Sequence, residues 1–241
     1  MNKLNWKEFW NNQGLADNPY RQVARIGGNA EQNEALLEKI VEHIVDVLEL
    51  KKEDVLLDVC CGNGLLTAQL AKHCKKIIGI DFSETLINEA KKNYPEIEFI
   101  CEDAMNIQHT STSAHQHINK INLYFSFQYF ETLNDGKKVI ENLLKLLSPE
   151  GKLFLGDIPD KSSFFKYYNS PRKIISFIKQ LLQNKNLMGK FWSEKELQLI
   201  CKQLAVKGKK LNQPKHLPYS HYRMDYLIKK IKILNYYTKP I

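Results

Sequence analysis

Between Asp58 and Gly64 the chain reads Asp-Val-Cys-Cys-Gly-Asn-Gly, and these residue types set what the segment can do. Gly62 and Gly64 permit close approach of a ligand to the backbone, and a helix starting directly after them presents free amides. Asp81 follows 17 residues after Gly64. A carboxylate there, at the end of the next strand, can accept two hydrogen bonds from the vicinal hydroxyls of a ribose. Glu102-Asp103-Ala104 comes third, where a side chain and a backbone amide can read the edge of an adenine. A lone Gly-x-Gly is weak evidence, but the three features in this order are much stronger. The two adjacent cysteines pose a separate question. The chain has five (Cys60, Cys61, Cys74, Cys101, Cys201), an odd number with no Cys-x-x-Cys pair, so a disulfide framework or a structural zinc site is not expected. Cys60 and Cys61 read instead as small walls of the loop.

Such residues work only if strands and helices bring them to one end of a sheet, and the hydrophobic pattern predicts that arrangement. Residues 31–50 carry apolar residues at helical spacing. Asp54 to Val59 is a short, nearly all-apolar run, as expected of a strand buried on both faces. Gly64 to Cys74 returns to helical periodicity, Lys76 to Asp81 is the second strand, and Ser83 caps a helix running to Tyr94 ahead of Pro95. Strands are predicted at "IEFICED", "INLYFSF" and "GKLFLGDI", with a helix from Asp135 to Leu147 between the last two. Five strands alternating with helices imply a doubly wound, mostly parallel α/β sheet. Beyond Asp157 the pattern changes. Residues 162–184 read as helical but interrupted at Pro171, Ser193 with Glu196 forms a capping box, and "VKGKKL" with "YRMDYLIKKI" read as an antiparallel C-terminal edge hairpin. In doubly wound sheets ligands bind beyond the carboxyl ends of the strands, where the strand order reverses. Asp58, Asp81 and Asp103 all fall at such ends.

A nicotinamide site would call for a third glycine or alanine where Thr67 stands, and S-adenosylmethionine lacks the pyrophosphate that this residue accommodates. Over residues 36–158 the motifs resemble the class I S-adenosylmethionine-dependent methyltransferases. "VLLDVCCGNGLL" is similar to the first motif of that family, "GIDFSETLINEAKK" to its acidic second-strand motif, and "CEDAMNI" to its adenine-contacting one. "LLKLLSPEGKLFLGDI" is similar to the helix, turn and fifth strand that follow. The resemblance implies a seven-stranded Rossmann-like methyltransferase fold with S-adenosyl-L-methionine as cofactor. By the same resemblance Asp58 and Gly62 would line the methionine end, Cys60 and Gly64 would belong to the same cofactor-binding loop, Asp81 would bind the ribose, Phe82 would pack on the adenine, and Asp103 and Ala104 would contact its base edge. Cys60 replaces the first glycine of the family's Asp-x-Gly-x-Gly-x-Gly, and the fourth strand lacks the acidic residue often found at its start.

Catalysis of such a transfer is mainly positioning of a nucleophile in line with the sulfonium methyl, with loss of a proton from an oxygen or nitrogen acceptor. Asp157, ending the fifth strand, and His221, in "LPYSHYRMD", are the favoured candidate bases, with His216 and Tyr129 behind them. Residues 1–30, with Trp6, Phe9, Trp10, Tyr20, Arg21 and Arg25, read either as a lid, with Arg25 toward the methionine carboxylate, or as an extra packed helix. Residues 158–192 read as a helical insertion on the substrate side of one methyltransferase domain spanning 1–241. His109, His115 and His117 cluster without a nearby acidic or thiol partner, and no metal site is expected.

Residues 1–150 hold 16 Lys and Arg against 22 Asp and Glu, whereas residues 151–241 hold 19 against 5. The basic C-terminal part fits an anionic substrate or surface, such as a phosphorylated metabolite, a nucleotide-linked sugar, nucleic acid or lipid headgroups; the plainer alternative is solvated lysines. The expected acceptor is a small molecule or glycan bearing an anionic group, with an activated or lipid-linked sugar as one form. The alternatives are a nucleic-acid methyltransferase, for which no recognised binding module is evident, and a non-catalytic partner that keeps the fold. No apolar stretch approaches a membrane span and the first ten residues carry no signal core, so a cytoplasmic location is the expectation.

Overall fold

The computed structural model describes residues 4–24, 30–107, 117–183 and 186–230. Its elements in chain order are α1 (Trp6–Gln13), α2 (Pro19–Gln22), α3 (Ala30–Leu48), β1 (Val55–Val59), α4 (Leu65–Ala71), β2 (Lys76–Asp81), α5 (Glu84–Asn93), β3 (Glu98–Cys101), β4 (Lys120–Tyr124), α6 (Leu133–Leu146), β5 (Lys152–Pro159), α7 (Phe164–Tyr167), α8 (Pro171–Leu182), α9 (Glu194–Gln203), β6 (Lys207–Asn212) and β7 (Arg223–Lys229). The seven strands form one sheet in the order β3-β2-β1-β4-β5-β7-β6. The first five are parallel, and β7 and β6 close the edge antiparallel. This is the doubly wound, mostly parallel arrangement with an antiparallel edge hairpin that the sequence pattern predicts.

Chain order runs outward from β1 to β3 and then returns to the other side of β1 for β4 and β5. The crevice for a ligand therefore lies between the carboxyl ends of β1 and β4. Asp58 pairs with Gly79 of β2 on one side and with Asn122 of β4 on the other, which centres its side chain on that reversal. Two apolar layers hold the sheet. Leu37, Ile44 and Leu48 of α3 and Leu70 of α4 pack with Leu56 and Phe154 in one core. Val139, Ile140 and Leu143 of α6 and Leu197 and Ile200 of α9 pack with Leu57, Ile121 and Leu155 in the other. Capping residues set the helix starts: Ser83 Oγ accepts from Leu86 N, and Thr132/Asp135 and Ser193/Glu196 form reciprocal capping boxes.

The fourth strand departs from the expectation that it runs through Phe127. It ends at Tyr124, because Phe125 turns into the left-handed region (φ 65°) and donates its amide to the Gly156 carbonyl. A 3-10 turn over Phe127–Tyr129 follows and swings its aromatic residues across the strand ends. The helical region after β5 breaks where Pro171 implies. Ser170 caps α8 and Pro171 occupies its first turn, so α7 and α8 are separate. Among the described residues no helix is long and apolar enough to cross a membrane.

Candidate active site

The loop between β1 and α4 is held by side chains on three elements. Asp58 is buried, with Oδ2 accepting from Thr67 Oγ1 at 2.6 Å and Oδ1 accepting from Asn122 Nδ2 at 2.7 Å, which ties β1 to α4 and β4. Cys60, Gly62 and Gly64 all take left-handed backbone angles (φ 57°, 59° and 78°). A side chain at Gly62 would press on Val23, and one at Gly64 on Phe99. Cys60 pays the strain that glycine would avoid. Gly62 N donates to Asp81 Oδ2 at 3.0 Å and Ser83 N donates to Asp81 Oδ1 at 2.9 Å. One carboxylate thereby fixes the loop and the start of α5 together. Burial pushes the Asp81 carboxyl up to about 6, against the lowering effect of the Ser83 and Gly62 amides.

Burial, reinforced by the charge of Asp81, pushes the Cys60 and Cys61 thiols well above their ordinary range, so neither is a reactive thiolate. Both are free cysteines, and Cys61 Sγ points to the Gly62 carbonyl. Among the described residues no three His, Cys, Asp or Glu side chains group as a metal site. His109 and His115 lie outside those residues, and His117 is exposed.

A cavity of about 270 Å³ opens at this point. Asp58, Cys60, Gly62, Asp81, Phe82, Asp103 and Ala104 all line it. Gly64 does not line it; it caps α4, where an added side chain would meet Phe99 and Tyr94. Asp103 closes its own turn by accepting from Met105 N at 2.8 Å, and the Ala104 carbonyl accepts from Asn142 Nδ2 at 3.3 Å, so the base-edge turn is braced from α6. Arg25 falls outside the described residues.

The two favoured bases stand elsewhere. Asp157 lines an adjoining hollow of about 30 Å³ that shares only Tyr124 and Phe125 with the main cavity. Its Oδ1 accepts from Gln213 Nε2 at 3.0 Å and its Oδ2 lies 3.4 Å from Arg223 Nη1. Both carboxylate oxygens of Asp157 are thus engaged by Gln213 and Arg223, and the residue does not line the main cavity. His221 is exposed, rests edge-on against Tyr222 and lines neither cavity. The main cavity is also lined by Trp6 and Trp10 of α1, by Val23, and by Ser126, Tyr129 and Phe130 after β4. The aromatic density of residues 6–10 and 124–130 was the available sequence signal. Trp6 and Trp10 sit 4.4 Å and 5.7 Å from the Tyr129 ring. Burial pushes the Tyr129 phenol up to about 12, so it stays protonated at neutral pH.

The N-terminal segment is fastened over the cavity. Asn63 Nδ2 donates to the Pro19 carbonyl at 2.9 Å and to Gln22 Oε1 at 2.8 Å, Ser83 Oγ donates to Asn11 Oδ1 at 2.7 Å, and Trp6 Nε1 donates to Glu131 Oε1 at 3.1 Å. Two indoles of α1, those of Trp6 and Trp10, form part of the cavity wall. An adenosyl sulfonium fits the donor set. Asp81 presents a carboxylate at a strand end, Phe82 offers a ring at the next position, and the indole and phenol rings provide faces of the kind that attract a cation.

Residues 50–216 match a protein family described as "Methyltransferase domain". A ubiquinone biosynthesis O-methyltransferase from Coxiella burnetii is 33% identical over 122 residues, covering 49% of each chain. A malonyl-[acyl-carrier protein] O-methyltransferase from Bacillus anthracis is 31% identical over 151 residues, covering 61% of this chain and 52% of that protein. The chain thus spans about half the length of the curated relatives it matches. Among solved structures, the N-methyltransferase NodS from Bradyrhizobium japonicum WM9, in complex with S-adenosyl-L-homocysteine, superimposes with a TM-score of 0.62 at 16% identity, over 94% of this chain and 99% of that one.

Proposed function

The chain belongs to the methyltransferase domain family of S-adenosylmethionine-dependent enzymes, and on that premise we propose that it transfers a methyl group from S-adenosyl-L-methionine to an oxygen or nitrogen of a small or medium-sized acceptor with an anionic group. The observation that carries this is the Asp81 carboxylate, buried at the end of β2 beside the strand-order reversal, bonded to the Gly62 amide and open to the cavity. In the proposal Asp81 accepts from the ribose hydroxyls, Phe82 packs on the adenine, the Asp103-Ala104 turn meets its base edge, and Asp58, Cys60 and Gly62 border the methionine end. The acceptor enters on the side formed by Ser126, Tyr129 and Phe130. A bound S-adenosyl-L-methionine would supply a methyl group activated as a sulfonium, so that attack by the acceptor's lone pair would release neutral S-adenosylhomocysteine and the acceptor's proton to solvent.

The names of the two curated relatives favour an oxygen acceptor, and the basic C-terminal part favours an anionic one. The decisive test is an acceptor screen scored by S-adenosylhomocysteine release, run beside Asp81→Asn. The expected result is turnover with at least one small anionic acceptor and near-complete loss in the variant. Cofactor binding without turnover on any small acceptor but with turnover on RNA would replace the acceptor half of the proposal, and absence of cofactor binding would remove it whole.

A further inference from the structure

No side chain of α8 is buried, although its sequence, Pro-Arg-Lys-Ile-Ile-Ser-Phe-Ile-Lys-Gln-Leu-Leu, is half apolar. Phe177 accounts for the inward face, with its ring 5.2 Å from Phe164 and 4.7 Å from Tyr168. Ile175, Ile178 and Leu182 are left 66%, 49% and 72% exposed. Their spacing of three and four residues makes them one stripe on the outer face, and Arg172 and Lys179, seven residues apart, run along its border. Phe165, in α7, is 74% exposed and lines a hollow together with Phe177 of α8. Charge is equally one-sided. From Lys161 to Ser193 the chain carries seven Lys and Arg and no Asp or Glu.

We propose that α8 with Phe165 is a docking surface for an anionic lipid bilayer, with Ile175, Ile178 and Leu182 entering the headgroup–acyl boundary and Arg172 and Lys179 meeting lipid phosphates. Charge complementarity selects this occupant. A helix with bulky apolar residues on one face, flanked only by cations, is the pattern of a helix that lies in the membrane interface. The surface is not remote from the candidate active site. Tyr167 of α7 stacks 4.7 Å from Tyr222, Tyr222 lies 5.9 Å from Tyr219, and Tyr219 lies 6.4 Å from Phe125, which lines the cavity. The docking stands independently of any methyl transfer.

The test is flotation of the full chain with phosphatidylcholine vesicles, with and without phosphatidylglycerol. The expected result is binding to the anionic vesicles only, weakening as salt rises. Ile175→Glu with Leu182→Glu should weaken it by roughly tenfold or more, and Arg172→Gln with Lys179→Gln should weaken it by a similar order. All four residues are exposed, so unchanged circular dichroism and Tm are expected in both variants. Failure to float, equal binding by wild type and the glutamate variant, or a solution dimer dissolved by those glutamates without any vesicle binding would each overturn the proposal. S-adenosylmethionine binding is unaffected by any of these results, so this proposal and the methyltransferase reading fail separately.

Discussion

In the proposed function Asp81 meets two demands at once, because the carboxylate that braces the Gly62 loop and lines the cavity would also accept from the ribose hydroxyls. Its carboxyl is raised to about 6 by burial, above the ordinary 3.8. The folded chain therefore holds that proton more tightly than the unfolded chain does. The stabilising contribution of the protonated form is complete below about 4 and is lost as pH rises through about 6. Cofactor hydroxyls donate to the ionised form, so ligand binding runs the other way. Affinity for S-adenosylhomocysteine should fall about tenfold per unit as pH drops below 6, and calorimetry from pH 5 to 7.5 measures it. Asp81→Asn should flatten that profile and weaken binding on the order of a hundredfold, the worth of two hydrogen bonds to a charge. Cys61→Ala should leave affinity within a few-fold. Gly64→Val should abolish it without touching the ligand, because the new side chain meets Phe99 at a backbone angle that favours glycine.

At the scale of elements, α2 is tied to the loop after β1 by the few polar contacts of Asn63. Asn63→Ala removes the bonds to Pro19 and Gln22, about 2 kcal/mol of local attachment. The expected outcome is faster amide exchange over residues 6–22 and weaker cofactor retention, with the Tm of the sheet nearly unchanged. Most of the sheet was legible in the sequence because a strand buried on both faces is nearly all apolar, as in "LLDV" and "IIGI". The glycine loop, Asp81 and Asp103 were legible because strand ends converge by topology. What stayed hidden was contact between distant segments. Nothing local to Trp6 says that it meets Tyr129, and nothing local to Asp157 says that Arg223 and Gln213 occupy it. The early end of β4 was equally hidden, since "YFSF" is as good a strand as any until Phe125 turns to reach Gly156.

At the scale of the whole molecule, the parallel core and the antiparallel edge are joined by a buried polar network. His43 Nε2 of α3 and Asp225 Oδ2 of β7 are 2.6 Å apart, and Asp225 Oδ1 accepts from Asp157 N at 2.8 Å and from Gln213 Nε2 at 3.0 Å. Asp225 is fully buried. Asp225→Ala removes the carboxylate that engages His43 and the Asp157 amide and leaves Gln213 only its bond to Asp157, which should cost about 3 kcal/mol and lower the Tm on the order of 10 °C in a thermal melt. The same network holds the carboxyl end of β5 beside the cavity, so the variant should lose activity at temperatures below its melt. The central claim is that the crevice between β1 and β4 is an S-adenosylmethionine site, and isothermal titration calorimetry of the full chain with S-adenosylhomocysteine tests it most directly. The account predicts saturable one-to-one binding that Asp81→Asn largely removes; no heat of binding at millimolar ligand, or binding indifferent to that substitution, would contradict it.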